Sequence, residues 1–220
     1  MISLPVDLAP YLEAELLHPG LGEEQIRHGC MQAERYHFVA VCVQPHWVKA
    51  VKEWLYQCPV IVATVIGFPL GLSCSATKLY EAQLAVEQGA RELDVVVNPV
   101  WVRSQAWDPL FAELASMQEA TQVGIKAVLE MDLLTPEQVA GAVDVCLQAG
   151  VSHLKGSTGW GGPAAVSHVR QLAQLSRGRA GIKASGHIKT AADVEAFLIA
   201  GATRIGTTRG VEILAEWGSR

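Results

Sequence analysis

Short apolar runs of strand length alternate along this chain with longer stretches in which apolar residues return every three or four positions. FVAVCV (38–43), the start of PVIVATVIGFPLG (60–66), RELDVVVN, IKAVLEM (125–131), VSHLK, GIKAS and TRIGT are of the first kind. The second kind predicts helices: over 23–36, Ile26, Cys30 and Ala33 make one buried stripe, and Val48, Val51 and Leu55 make another farther on. Punctuation agrees with this reading. Gly89, Gly150 and Gly201 each stand between a helical stretch and a strand, at the left-handed cap position that glycine fills without steric cost. Thr135-Pro136-Glu137-Gln138 reads as a capping box with proline at the first helical position; Thr190 to Asp193 opens the last long helix similarly, and Pro45 suits a first turn.

One stretch is ambiguous. YLEAELL (11–17) fits a helix turn or a strand carrying Glu13 and Glu15 on one face. Counted as a strand, it raises the strands to eight, near residues 11, 38, 60, 93, 125, 151, 181 and 203. Continuously apolar strands separated by helices indicate a parallel sheet covered by helices. Eight such units in 220 residues predict an α/β protein with a (β/α)8 TIM barrel as a single domain over residues 1–220; seven would indicate a doubly wound sheet.

Half of the residues are hydrophobic and the net charge is −5, which disfavours a general nucleic-acid or anionic-membrane partner and still allows a small anionic substrate. The five cysteines are odd in number, hold no CxxC pair and lie mostly in apolar contexts, as expected in a reducing compartment. The first residues have neither a basic region nor a long apolar one, and no stretch approaches a membrane span, so a soluble cytoplasmic protein is expected.

In a barrel the C-terminal ends of the strands converge on one mouth, and there the chain sets Asp94, Asn98, Glu130, Lys155 and Lys183. Lys155 and Lys183 each end an apolar run and open into small residues, GSTGWGG and ASGH. An ammonium or carboxylate in a buried strand needs a partner, solvent or a chemical use. The bland use is an ion pair between Asp94 and a lysine. The chemical use is imine formation. A lysine attacks a carbonyl only as the free amine, and desolvation or a second cation nearby makes that form more available. Lys155 is the expected nucleophile and Lys183 the perturbing cation, although residue types alone do not fix the order; Asp94 would move protons, directly or through a water.

Three Gly-rich loops follow the last three strands, and Gly159, Ser185, Gly186, His187, Gly206, Thr207 and Thr208, with Arg209 beside them, suit a phosphate. Each loop alone would equally serve as a tight turn. Glu15, Cys42, Glu130 and Trp160 are expected to line the site. The histidines form no HExxH or HxH group, and no metal or other cofactor is expected. No Walker lysine or GxGxxG spacing marks a nucleotide site.

FVAVCVQP, TVIGFPLG, KLYEAQLAVEQGARELDVVVN, LEMDLLT, LKGSTGW, GIKASG and GATRIGTTRG together resemble the deoxyribose-phosphate aldolase family over nearly the whole chain. The resemblance implies a class I aldolase on a (β/α)8 barrel, cleaving 2-deoxy-D-ribose 5-phosphate reversibly to D-glyceraldehyde 3-phosphate and acetaldehyde. It implies Lys155 as the Schiff-base lysine, Lys183 as the lysine that tunes it and Asp94 as the proton-relay carboxylate. It also implies a cytoplasmic role in deoxynucleoside breakdown, often as a homodimer.

The chain departs from that pattern at several places. A first strand usually written I-D-H-T-L-L-K-P is here Leu12-Glu13-Ala14-Glu15-Leu16-Leu17-His18-Pro19, so Glu15 stands where a small hydroxyl is usual. Gly156 replaces a threonine, His187 a glycine and Lys189 an arginine. These departures keep two other readings open: a Schiff-base aldolase for a different aldehyde, and a sugar-phosphate-binding barrel that has lost turnover.

Overall fold

The YLEAELL stretch forms a strand, β1 (Leu12–Leu16), and its pairing decides the architecture. In the computed structural model, which describes residues 4–219, β1 lies parallel to β2 (Ala40–Val43) on one side and to β8 (Arg204–Thr207) on the other. Between them run β3 (Ile61–Ile66), β4 (Glu92–Val96), β5 (Gly124–Val128), β6 (His153–Lys155) and β7 (Gly181–Ser185), each paired with the next, so the parallel sheet closes as a (β/α)8 barrel. The doubly wound alternative has no place in this topology.

The helices follow the predicted spacing: α1 (Glu23–Arg35), α2 (Val48–Trp54), α3 (Ser75–Glu87), α4 (Pro99–Arg103), α5 (Trp107–Thr121), α6 (Pro136–Gln148), α7 (Val166–Ser176), α8 (Ala191–Ile199) and α9 (Gly210–Gly218). The caps are formed as read. Thr135 and Gln138 complete a reciprocal capping box at α6, and Thr190 accepts from the Asp193 N–H at 3.1 Å at the start of α8. Gly89, Gly150 and Gly201 take φ of 117°, 80° and 107° just after their helices, values that a side chain would strain. Asn98 follows the C-terminal end of β4, and its Oδ1 accepts the Val100 N–H at 2.9 Å and caps α4. Among the described residues no helix is long and apolar enough to cross a membrane.

The main core lies between the barrel wall and its helices. Leu12, Val41, Val62, Leu93, Ile125, Leu154, Ile182 and Ile205 point outward from the strands and are buried against helical residues such as Ile26, Val51, Leu114, Val143 and Leu172. Each such side chain is worth about 1.5–3 kcal/mol on burial. Outside the barrel, Lys78 on α3 is buried against Glu113 on α5 at 2.9 Å and also donates to the Val96 carbonyl at 2.8 Å, tying both helices to β4. The barrel interior is different in kind. Its apolar part is the small cluster of Leu17, Cys42, Ala63 and Val65, and charged side chains fill the remaining strands' share. The stacked aliphatic layers usual inside such barrels are therefore interrupted by charged side chains on six of the eight strands.

Candidate active site

Strand alternation and register together assemble the charged interior. Residues i and i+2 share a face, so Glu13 and Glu15 both point inward from β1, as do Glu92 and Asp94 from β4. Lys155 lies opposite Lys183 in the β6–β7 register, Asp94 opposite Lys126 between β4 and β5, and Lys183 opposite Arg204 between β7 and β8. The result is four cations (Lys126, Lys155, Lys183, Arg204) facing four carboxylates (Glu13, Glu15, Glu92, Asp94), with no net formal charge.

Asp94 is the hub. Its Oδ1 accepts from Lys126 Nζ at 2.9 Å, and its Oδ2 accepts from Lys183 Nζ at 2.7 Å and Lys155 Nζ at 3.3 Å. Glu15 makes a second bridge: its Oε1 lies 3.0 Å from Lys155 Nζ and 3.3 Å from Lys183 Nζ, while Oε2 accepts from Ser185 Oγ at 2.6 Å. Glu13 pairs with Lys183 and, at 3.2 Å, with Arg204. At the N-terminal end of the strands, Lys126 and Arg204 hold Glu92 at 2.6 and 3.2 Å.

Taking such charges out of water is costly, and mutual pairing is what permits it. Burial would raise the Asp94 carboxyl, but Lys126, Lys183 and Lys155 outweigh it and hold the group well below the ordinary range. Burial likewise opposes charge on Glu13, Glu15 and Glu92; the neighbouring cations prevail in each, and bring Glu13 to about 2. For Lys183, burial pulls downward, yet Asp94, Glu13 and Glu15 hold it well above an ordinary lysine. Lys183 stands beside Lys155 as a second cation, with carboxylate oxygens between them: both ammonium groups share Asp94 Oδ2 and Glu15 Oε1. His153, below this layer, is drawn down to about 4, first by burial and then by Arg204 and Lys126.

Above the network, at the C-terminal mouth, opens a cavity of about 290 Å³. Of the residues expected there, Glu15, Gly159, Trp160, Gly186, His187, Gly206, Thr207 and Thr208 line it. His18 and Lys189 add basic side chains to the rim, and Phe68 meets Trp160 edge to face at 6.0 Å. His187 has φ of 58°, so it keeps the left-handed backbone that a glycine would take there. Thr207 contributes no free hydroxyl, because its Oγ1 donates to the Ile188 carbonyl at 2.8 Å and accepts the Arg209 N–H at 2.9 Å. Ser185 lies beneath the cavity as the partner of Glu15.

Cys42 sits in the small apolar cluster of the interior, where burial pushes its thiol well above the usual range. Glu13, Cys42 and Asp94 bring three potential ligand atoms within 4.8 Å, but both carboxylates already serve ammonium groups. Glu130, just after β5, holds the loop that follows Lys155. Its carboxylate accepts from Ser157 Oγ at 3.1 Å and from Thr158 N and Oγ1 at 3.1 and 2.5 Å, and its own φ of 51° is the left-handed value that aims it there.

Lys126, Glu92, Arg204 and His153 were not anticipated in this interior. The signal for Lys126 was present: Gly124-Ile125-Lys126-Ala127 repeats the Gly181-Ile182-Lys183-Ala184 pattern on another strand.

No family model matches the chain. A protein named deoxyribose-phosphate aldolase from a Cyanothece species is 48% identical over 212 residues, 96% of this chain and 93% of the relative. One of the same name from Deinococcus radiodurans is 39% identical over 212 residues, 96% of each. Among solved structures, the deoxyribose phosphate aldolase of Aeropyrum pernix, described as tetrameric, superposes with a TM-score of 0.91 at 31% identity, over 98% of this chain and 93% of that one.

Proposed function

The chain belongs to the deoxyribose-phosphate aldolase family, and from that membership we propose that it cleaves 2-deoxy-D-ribose 5-phosphate reversibly to D-glyceraldehyde 3-phosphate and acetaldehyde through an imine on Lys155. The observation that carries the lysine assignment is the β6–β7 register, which sets Lys155 beside Lys183 and next to the cavity floor formed by Glu15. In the reaction the Lys155 amine adds to the C1 carbonyl and water leaves, giving an iminium. That cation accepts the electron pair of the breaking C2–C3 bond, the C3 hydroxyl gives up its proton, and glyceraldehyde 3-phosphate departs from an enamine. Protonation at C2 and hydrolysis then release acetaldehyde and the amine.

Lys183 stays charged and supplies a fixed positive field beside the imine nitrogen. Asp94 sets the spacing of the two lysine heads and relays protons between them, since one of its oxygens serves both. The phosphate is assigned to the mouth between Gly186, His187, Gly206 and Thr208, with Lys189 at its rim. Basic side chains there match a dianion, and the backbone turns can offer N–H groups. A cytoplasmic place in deoxyribonucleotide catabolism and a homodimeric assembly complete this reading.

Borohydride reduction in the presence of acetaldehyde, followed by peptide mapping, tests it. The expected product is a stable adduct on Lys155, absent from Lys155→Leu, together with deoxyribose 5-phosphate turnover that the same substitution abolishes. Full turnover in Lys155→Leu would overturn the lysine assignment. An adduct without deoxyribose 5-phosphate turnover would favour an aldolase for another aldehyde.

A further inference from the structure

We infer that Glu15 is a catalytic acid–base residue of this chain, taking the proton from the substrate C3 hydroxyl as the C2–C3 bond breaks and returning it to C2 of the enamine. The inference rests on the imine reading of Lys155. Three observations lead to it.

The first is access. Asp94 and Glu13 have fully buried side chains, and both oxygens of Asp94 are taken by ammonium groups, so Asp94 meets the reacting carbons only through a lysine. Glu92 lies at the far end of the strands with Arg204 and Lys126. Of the carboxylates in the network, Glu15 lines the cavity, with a side chain 12% exposed. Lys155 itself is 1% exposed and absent from the cavity wall, so a carbonyl travelling from the mouth to Nζ passes the Glu15 carboxylate.

The second is placement. Oε1 lies 3.0 Å from Lys155 Nζ, the atom from which C1 and C2 of an imine stand one and two bonds away, so the carboxylate is beside the reacting carbons. Ser185 on Oε2 and Lys183 on Oε1 fix its orientation from the other side. Gly206 makes the room: a Cβ there would stand 2.5 Å from Glu15 Oε1.

The third is timing. Burial raises the Glu15 carboxyl, and the charges on Lys155 and Lys183 more than reverse this, so the group begins as a carboxylate able to accept a proton. When the C2–C3 pair moves into the enamine, the nitrogen on Lys155 loses its positive charge. One of the two cations that hold the proton off Glu15 vanishes in the same step that releases a proton. Restoring the iminium by protonating C2 returns Glu15 to its carboxylate, so the proton is recycled and no co-reactant is needed.

The test compares wild type with Glu15→Gln, which keeps the size of the side chain and removes the carboxylate, and with Glu15→Asp, which keeps the carboxylate. Each is checked for a cooperative thermal transition, then followed by exchange of the acetaldehyde methyl protons in D2O, by deoxyribose 5-phosphate turnover and by borohydride trapping. Expected for Glu15→Gln are an intact Lys155 adduct, methyl exchange and kcat lowered by about 100-fold or more, and a smaller change in KM, with exchange partly restored in Glu15→Asp. Exchange in Glu15→Gln within about threefold of wild type, or faster, with the adduct intact overturns the assignment. Loss of adduct together with exchange also overturns it, because Glu15 would then act by positioning Lys155. Absence of any adduct in wild type would instead refute the imine reading on which the inference rests.

Discussion

Replacing Asp94 with asparagine removes one negative charge from a balanced interior without changing its shape. Lys126, Lys155 and Lys183 lie 2.9, 3.3 and 2.7 Å from its oxygens, all three with buried side chains. At an effective dielectric near 20, each contact at such a distance is worth about 5 kcal/mol gross, most of which offsets the desolvation of the groups involved. Deleting one partner leaves an uncompensated buried ammonium, and the net loss expected is about 3–5 kcal/mol. For a chain of this length that lowers the melting temperature by about 10 °C. The loss should also depend on pH. In the variant an unbalanced ammonium is easier to deprotonate when folded than when unfolded, so the variant gains stability as pH rises toward the unfolded lysine value of about 10.4, and the gap to wild type narrows. Urea denaturation followed by the fluorescence of the six tryptophans, at about pH 7 and about pH 9.5, measures both effects. A deficit below about 1 kcal/mol, or one that does not change between those pH values, would refute this account of the interior.

Two other outcomes follow from the same geometry. Stability should fall in acid: His153 binds its proton near 4 when folded but near its ordinary value when unfolded, and Glu13 near 2 rather than in the usual carboxylate range, so the unfolded state takes up protons first as pH drops. The histidine contribution is at most about 3 kcal/mol, lost between about pH 6.5 and 4; His153→Gln should flatten that limb of the stability curve while leaving the lower one. Glu130→Gln keeps the size of the side chain but weakens its hold on Ser157 and Thr158. Charge-assisted hydrogen bonds of this kind are worth about 1.5–3 kcal/mol each, so loosening the loop after Lys155 should lower kcat by about tenfold or more, with the Lys155 adduct still formed.

Much of this protein was legible along the chain because the determining interactions are local. Helix starts were marked by Thr135 and Thr190, and several helix ends by glycines, which take the left-handed backbone without steric cost, so unit boundaries followed from side chains within a few residues of one another. Lys155 and Lys183 were legible because an ammonium at the end of an apolar strand needs an explanation wherever the strand is placed. YLEAELL was not, since its pattern suits two conformations and only the strands on either side, β2 and β8, supply the backbone partners that choose between them.

The charge balance of the interior was decided by tertiary structure in the same way. Glu13 and Lys183 are separated by 170 positions and Arg204 and Glu92 by 112, and they meet because barrel closure and register turn alternate residues of six strands onto one axis. A single sequence contains no pairing term that links such positions. It identified two lysines and an aspartate; closure of the barrel made them part of an eight-membered network, with Glu15 as the carboxylate at its opening, because charges buried together must neutralise one another where they meet.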